Sequence, residues 1–166
     1  MNFFSFLSST IKTSHYTIDV YYWITVLGLT LNPLFLGIDY QECIRHMVIN
    51  DHTRRVGYEG DGHKCDNSLG EGWYRFANGK YLNERCARYH YCDTDNPGWL
   101  VGGHPQVAEG IVSRQVCFGR SAAPSCSCTY QTDILVRNCG SFYVYKLKPS
   151  PACLSAHSSL RYCGTN

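Results

Sequence analysis

The chain has 166 residues, a formal net charge of +2, 17% charged and 44% hydrophobic residues, and ten cysteines. One domain is the default at that length. Its 3 Trp, 13 Tyr and 7 Phe exclude an intrinsically disordered chain. Interspersed charges summing to +2 leave no electrostatic footprint for nucleic acid, so no nucleic-acid partner is expected.

Residues 1–38 lack cysteine and contain one lysine, Lys12, and one aspartate, Asp19. Val20–Leu31 (VYYWITVLGLTL) is an uncharged run, and apolar character resumes after Asn32-Pro33 through Ile38. The shorter run fits the core of a secretory signal peptide. Counted across the proline, it approaches the ~20 residues needed to span a bilayer, so an uncleaved signal-anchor is the alternative. The cleavage site is poor, because Phe35 is large two positions before Gly37. Either reading exports residues 39–166, and a membrane is a partner only through residues 20–38 if they stay uncleaved.

Beyond the leader the sequence reads as strand and loop, punctuated by glycine and proline. Cys43–Asp51 has a helical flavour, with Ile44, Met47 and Val48 at spacings of three and four. Residues 57–62 (GYEGDG) are loop-like. Gly72–Phe76 (GWYRF) predicts an aromatic strand before an Asn78-Gly79 turn, and Gly110–Cys117 predicts another strand. Gln131–Val136 and Phe142–Leu147 predict a hairpin. In its second arm Tyr143, Tyr145 and Leu147 share one face, and Phe142, Val144 and Lys146 the other. The expected fold is small and disulfide-rich, mainly β with irregular loops and at most one or two short helices.

The cysteines are Cys43, Cys65, Cys86, Cys92, Cys117, Cys126, Cys128, Cys139, Cys153 and Cys163. Zinc sites usually bring ligands in C-x2-C or H-x3–5-H pairs. No C-x2-C occurs here, and the 7 histidines are scattered. An even count behind an export signal favours disulfides. Cys126 and Cys128 are expected to pair elsewhere, because cysteines one residue apart rarely reach bridge geometry. No metal or cofactor is expected.

Candidate chemistry is thin. His104, Ser113 and a carboxylate from Asp95, Glu109 and Asp133 would suit acyl transfer, with a base for the serine proton and an acid to orient it. The chain lacks a G-x-S-x-G elbow, and Gly102-Gly103-His104-Pro105 reads more simply as a turn. Asp93-Thr94-Asp95-Asn96 opens like a calcium loop, but its twelfth position is His104 where a bidentate glutamate is needed, and Pro97 lies in the loop interior, so a turn rich in Asp and Asn is the better reading. Arg54, Arg55, Arg85, Arg88 and Arg114 suggest glycosaminoglycan or anionic-surface binding, although acidic residues among them favour a solvated mixed-charge face. Tyr89, Tyr91, Tyr143 and Tyr145 suggest a glycan or protein contact, against the simpler reading of packing on disulfides.

Several words along the cysteine ladder are specific together. They are Asn50-Asp51-His52-Thr53-Arg54, Cys65-Asp66, Gly72-Trp73-Tyr74-Arg75-Phe76, Trp99-Leu100, His104-Pro105, Glu109 through Arg114 leading into Cys117, and Tyr143-Val144-Tyr145. From about Glu42 to Cys163 the chain resembles the uromodulin-type eight-cysteine extracellular domain. The resemblance implies a non-catalytic extracellular module with the pairing Cys43–Cys139, Cys65–Cys153, Cys86–Cys126, Cys92–Cys163 and Cys117–Cys128. In vertebrate members the strand matching Phe142–Leu147 ends in an N-glycosylation sequon whose glycan is a decoy for bacterial adhesins. Here the corresponding residues are Lys146-Leu147-Lys148, and no N-x-S/T occurs anywhere, so that role is not expected. Those members also carry growth-factor-like and polymerising modules, which are not found in these residues, so filament assembly is not expected.

The sequence therefore predicts a recognition or structural module with an extracellular protein or glycan partner. The alternatives are a small secreted hydrolase or effector using His104, and a membrane-anchored receptor ectodomain.

Overall fold

The computed structural model describes residues 8–13, 16–21, 40–61, 63–122, 125–151, 153 and 158–166. The chain divides into two units, Met1–Ile38 and Asp39–Asn166. In the first, β1 (Ser8–Thr13) and β2 (Tyr16–Tyr21) pair antiparallel, with Ser8 opposite Tyr21. The apolar stretch beyond Tyr21, read from the sequence as a signal peptide or signal-anchor, lies outside the described residues.

The second unit is built on one seven-stranded sheet. In chain order its elements are α1 (Gln41–Ile44), β3 (Met47–Ile49), β4 (Gly72–Phe76), β5 (Asn96–Val101), β6 (Ile111–Ala122), β7 (Ser125–Asn138), β8 (Tyr143–Leu147) and β9 (Leu160–Tyr162). The spatial order is β3-β4-β8-β7-β6-β5-β9, parallel only where β3 meets β4 and β5 meets β9.

Side chains on successive strand residues point to opposite faces, and one face here carries the core. Tyr74 and Phe76, Tyr145 and Leu147, Ile134 and Val136, Val116 and Phe118, and Leu160 and Tyr162 supply it in pairs two residues apart, joined by Leu82 and Leu100. Phe118 and Tyr162 meet edge to face at 5.2 Å, as do Phe76 and Tyr145 at 5.9 Å, the geometry that ring quadrupoles prefer.

GWYRF forms β4 over the expected residues, and Asn78 and Gly79 take left-handed φ angles of 57° and 70° in the turn after it. The β7–β8 hairpin pairs Leu135 with Lys146 and Asn138 with Tyr143. Tyr145 and Leu147 enter the core as the alternation predicts. The β6 strand runs five residues past Cys117, because β7 accompanies it to Ser125. A register shift between Phe118 and Gly119 absorbs the mismatch, where a Cβ on Gly119 would run into the Ser127 carbonyl.

Two expectations need correction. Within Cys43–Asp51 the α-helix Gln41–Ile44 ends at Ile44, and Met47–Ile49 is strand. Ile44, Met47 and Val48 are 60%, 47% and 50% exposed, so the helical stripe has no surface to bury against. Val48 and Ile49, both β-branched, instead pair with Arg75 and Phe76. Asn96-Pro97, read as part of a turn, begins β5. Pro97 lacks an N–H, yet β5 is held by β6 on one side and β9 on the other. Gly98 is needed there because an added Cβ would meet the Phe118 ring at 2.7 Å.

Five bridges tie loops to this sheet: Cys43–Cys139, Cys65–Cys153, Cys86–Cys126, Cys92–Cys163 and Cys117–Cys128. Cys43–Cys139 fastens α1 beside the β7–β8 turn, where Arg137 pairs with Glu42 and stacks 3.9 Å from the Tyr40 ring.

Candidate functional site

Three polar constellations lie on this framework. The first is a clasp between the segment after β3 and β9. Asp51 accepts from the Thr53 N–H at 3.0 Å and the Thr53 hydroxyl at 2.7 Å, opening a 3-10 turn at His52–Arg54. It also pairs with Arg161. Burial opposes its charge, but the Thr53 hydrogen bonds and then the Arg161 and Arg54 cations outweigh it, holding the carboxyl at about 2. Beside it Arg54 grips Asp66 bidentately at 2.7 and 2.6 Å, and Asp66 also accepts the Tyr162 N–H at 2.8 Å. The words Asn50–Arg54 and Cys65-Asp66 thus encode two ion pairs that seat β9.

The second constellation surrounds His104. Gly102 and Gly103 take φ angles of 86° and 75°, turning the chain after β5 so that the imidazole folds inward. Its ring lies 4.2 Å from Tyr143, 5.2 Å from Tyr81 and 5.8 Å from Tyr145. Nδ1 pairs with Glu84, whose carboxylate also accepts the His104 backbone N–H at 3.0 Å. Nε2 lies 2.7 Å from the Tyr145 hydroxyl, which accepts the buried Leu82 N–H at 3.0 Å. A carboxylate can only accept, so Nδ1 carries the proton, Nε2 accepts from the tyrosine, and every group is satisfied. Burial lowers the His104 pKa against the pull of Glu84, while the His104 hydrogen bond lowers that of Glu84. Burial likewise pushes the Tyr145 phenol up.

This arrangement does not bring the acyl-transfer candidates His104, Ser113, Asp95, Glu109 and Asp133 together. His104 has a carboxylate partner, but it is Glu84, and the atom facing Nε2 belongs to a fully buried tyrosine. Ser113 is exposed on β6 opposite Leu135, and Asp133 lies opposite Gln115. Glu109 caps the Gln106 N–H, and Asp95 accepts from Ser159. The acidic run is spent similarly: Asp93 pairs with Lys64 at 3.0 Å, and the Asn96 amide donates to the Ser159 carbonyl. Of the four tyrosines, Tyr145 is buried and Tyr89, Tyr91 and Tyr143 are half-buried. Nor do the five arginines form one patch, since Arg54 is held by Asp66 and Arg114 by Glu109 and the Gly103 carbonyl.

The third constellation is an open cleft of about 220 Å³ where the end of β3, the turn after β4 and the segment after β9 meet. Its walls include Asn50, Arg55, Phe76, Asn78, Lys80 and Gly164. The Gly164 N–H donates to the Arg54 carbonyl at 2.8 Å, and Gly164 lies so close to Phe76 that an added Cβ would be 2.9 Å from the ring.

Sequence reasoning missed Glu84, Arg161 and Lys80. Arg161 stands two residues before Cys163 and Asp66 directly after Cys65, so charge beside a bridge cysteine was the available signal. Glu84 has no sequence signal toward His104, 20 residues away.

Fold, bridges and interior ion pairs together define a small disulfide-rich β domain of the extracellular kind. The family model of the uromodulin-like eight-cysteine domain matches residues 74–164. The chain belongs to that family. It is 36% identical over 133 residues to the pancreatic secretory granule membrane major glycoprotein GP2 of Rattus norvegicus, covering 76% of this chain and 23% of the relative. The Homo sapiens protein of that name is 33% identical over 127 residues, covering 75% and 22%. Uromodulin of Mus musculus is 39% identical over 124 residues, covering 73% and 18%. The chain therefore matches less than a quarter of the length of these curated relatives. The module is extracellular, secreted or anchored with the domain outside. No helix among the described residues is long and apolar enough to cross a membrane.

Proposed function

We propose that this chain is a non-catalytic recognition or structural module, exported behind residues 1–38 and acting on an extracellular protein or glycan. The observation that carries the reading is the state of His104. Both ring nitrogens are occupied, by Glu84 and Tyr145, beneath a cover of tyrosine rings. A general base must reach a proton on substrate, and this imidazole is turned to an internal partner. The bridge-held loops instead present polar side chains on a rigid scaffold, the usual arrangement for binding surfaces.

The test is a glycan- and protein-array screen with the oxidised protein, run beside ester, peptide and glycoside substrates. Saturable binding without turnover is the expected result. Turnover abolished by His104→Ala would overturn the reading. N-terminal sequencing of the expressed protein decides whether the leader is removed: the signal-peptide reading expects a start near residue 39.

A further inference from the structure

The cleft between β3, the turn after β4 and the segment after β9 holds charge that its surroundings do not balance. Asp51, on its wall, is matched by Arg161, and Arg54 by Asp66. Among the described residues neither Arg55 nor Lys80 forms an ion pair. Arg55 donates only Nε, to the His52 carbonyl at 3.1 Å, which leaves its two terminal amino groups for a ligand. Two unpaired cations facing one small cleft select an anion, and a guanidinium fits a carboxylate bidentately.

The remaining walls narrow the class of ligand. A peptide would normally add to an open strand edge through its main chain. Here the neighbouring backbone groups are already used: Ala77 N–H meets the Ile49 carbonyl at 2.9 Å, and Val56 N–H meets that of Gly164 at 3.0 Å. Recognition must therefore come from side chains. Asn50 and Asn78 are exposed and supply amides that both donate and accept, as sugar hydroxyls require. Phe76 and Ala77 line the cleft with apolar groups, and Gly164 packs so closely on the Phe76 ring that a side chain there would strike it. The volume, about 220 Å³, is below the roughly 300–1,000 Å³ of pockets for drug-sized molecules, so one ring fills it.

We propose that this cleft binds the carboxylate-bearing terminal ring of an acidic glycan, with Arg55 and Lys80 on the carboxylate and Asn50 and Asn78 on the hydroxyls. The proposal rests on the recognition reading above and names its ligand class.

The experiment titrates the 15N-labelled oxidised protein with the methyl glycosides of glucuronic acid and N-acetylneuraminic acid in separate arms. Methyl galactoside, acetate and sulfate serve as controls. Saturable shifts of the Asn50, Asn78, Gly164 and Thr165 amides are expected with at least one acid, and the responsive arm identifies its source. Arg55→Glu and Lys80→Glu should each weaken binding about tenfold or more, whereas Arg88→Glu, exposed and outside the cleft, should not. Should either reversal disturb folding, Arg55→Gln and Lys80→Gln should show a smaller loss in the same direction. Raising salt from ~50 to ~500 mM should weaken binding further. No shift with either acid up to ~50 mM, shifts equalled by acetate alone, or binding that survives both reversals overturns the site. No shift in either acid arm, together with a neutral or protein ligand found by the array screen, would overturn this site and leave the recognition reading intact.

Discussion

Removing one oxygen atom, by Tyr145→Phe, tests whether the His104 constellation is structural. Tyr145 and Leu82 are both fully buried, so water does not replace the lost hydroxyl without opening the core. The Leu82 N–H loses its 3.0 Å acceptor and His104 Nε2 its 2.7 Å donor, while the ring keeps its edge contact with Phe76. Leaving a buried polar group unsatisfied costs about 1–3 kcal/mol. Two such groups, with His104 relaxing in part, give about 2–4 kcal/mol. That is a large share of the roughly 5–15 kcal/mol that stabilises a typical domain. Equilibrium unfolding of the oxidised variant in guanidinium reads the change from the midpoint at constant slope. A loss under ~0.5 kcal/mol, the range of ordinary surface substitutions, would refute the claim that this network holds the His104 turn to the core.

Further outcomes follow from the same interior. Burial lowers the His104 pKa below its ordinary value of 6.5, so the native state binds fewer protons there than the unfolded chain. That contribution is complete above 6.5 and falls as pH drops below it; unfolding midpoints measured from pH ~7.5 to ~5 should decline, and His104→Gln should flatten the decline. The carboxyl of Asp51 works lower down: its depressed value near 2 preserves stability above the ordinary 3.8, lost as pH falls from there toward 2. Asp51→Asn should remove that acid-limb loss in circular-dichroism melts. Arg54→Ala leaves Asp66 buried without its cation, and about 3–5 kcal/mol of destabilisation is expected by urea unfolding. A much smaller cost from Arg54→Met with Asp66→Leu would agree with this account. Replacing Cys43 and Cys139 by alanine opens a connection of 96 residues, and replacing Cys117 and Cys128 one of 11. The chain-entropy relation gives about 4.7 and 2.8 kcal/mol, so the first pair should cost ~2 kcal/mol more in matched denaturant curves.

Local physics made part of this molecule legible. GWYRF reads as a strand because it combines aromatic β formers with a turn pair that tolerates left-handed φ, and Tyr145 and Leu147 read as core because a strand's period is two. Two elements were hidden for a definable reason. Asn96-Pro97-Gly98 has poor strand propensity and becomes strand through β6 and β9, sequence-distant partners. The stripe Ile44, Met47 and Val48 has helical spacing, but pairing with β4 overrides it. The same distinction applies to the cleft. Arg55 drew notice in the sequence within a set of arginines, yet Lys80 joins it only when the turn after β4 and the segment after β9 close around one space. Which arginines keep their charge unmatched depends on Asp66 and Glu109, and spacing does not report it.

The central claim is an exported module whose ten cysteines are all in intrachain bridges. It is tested most directly by expressing the chain in a secretory eukaryotic host and alkylating the product in denaturant before and after reduction, with intact mass as the readout. The account predicts protein in the medium that takes up no alkyl group before reduction and ten after it. Protein kept in the cytosol, or carrying alkylated cysteine before reduction, would contradict it.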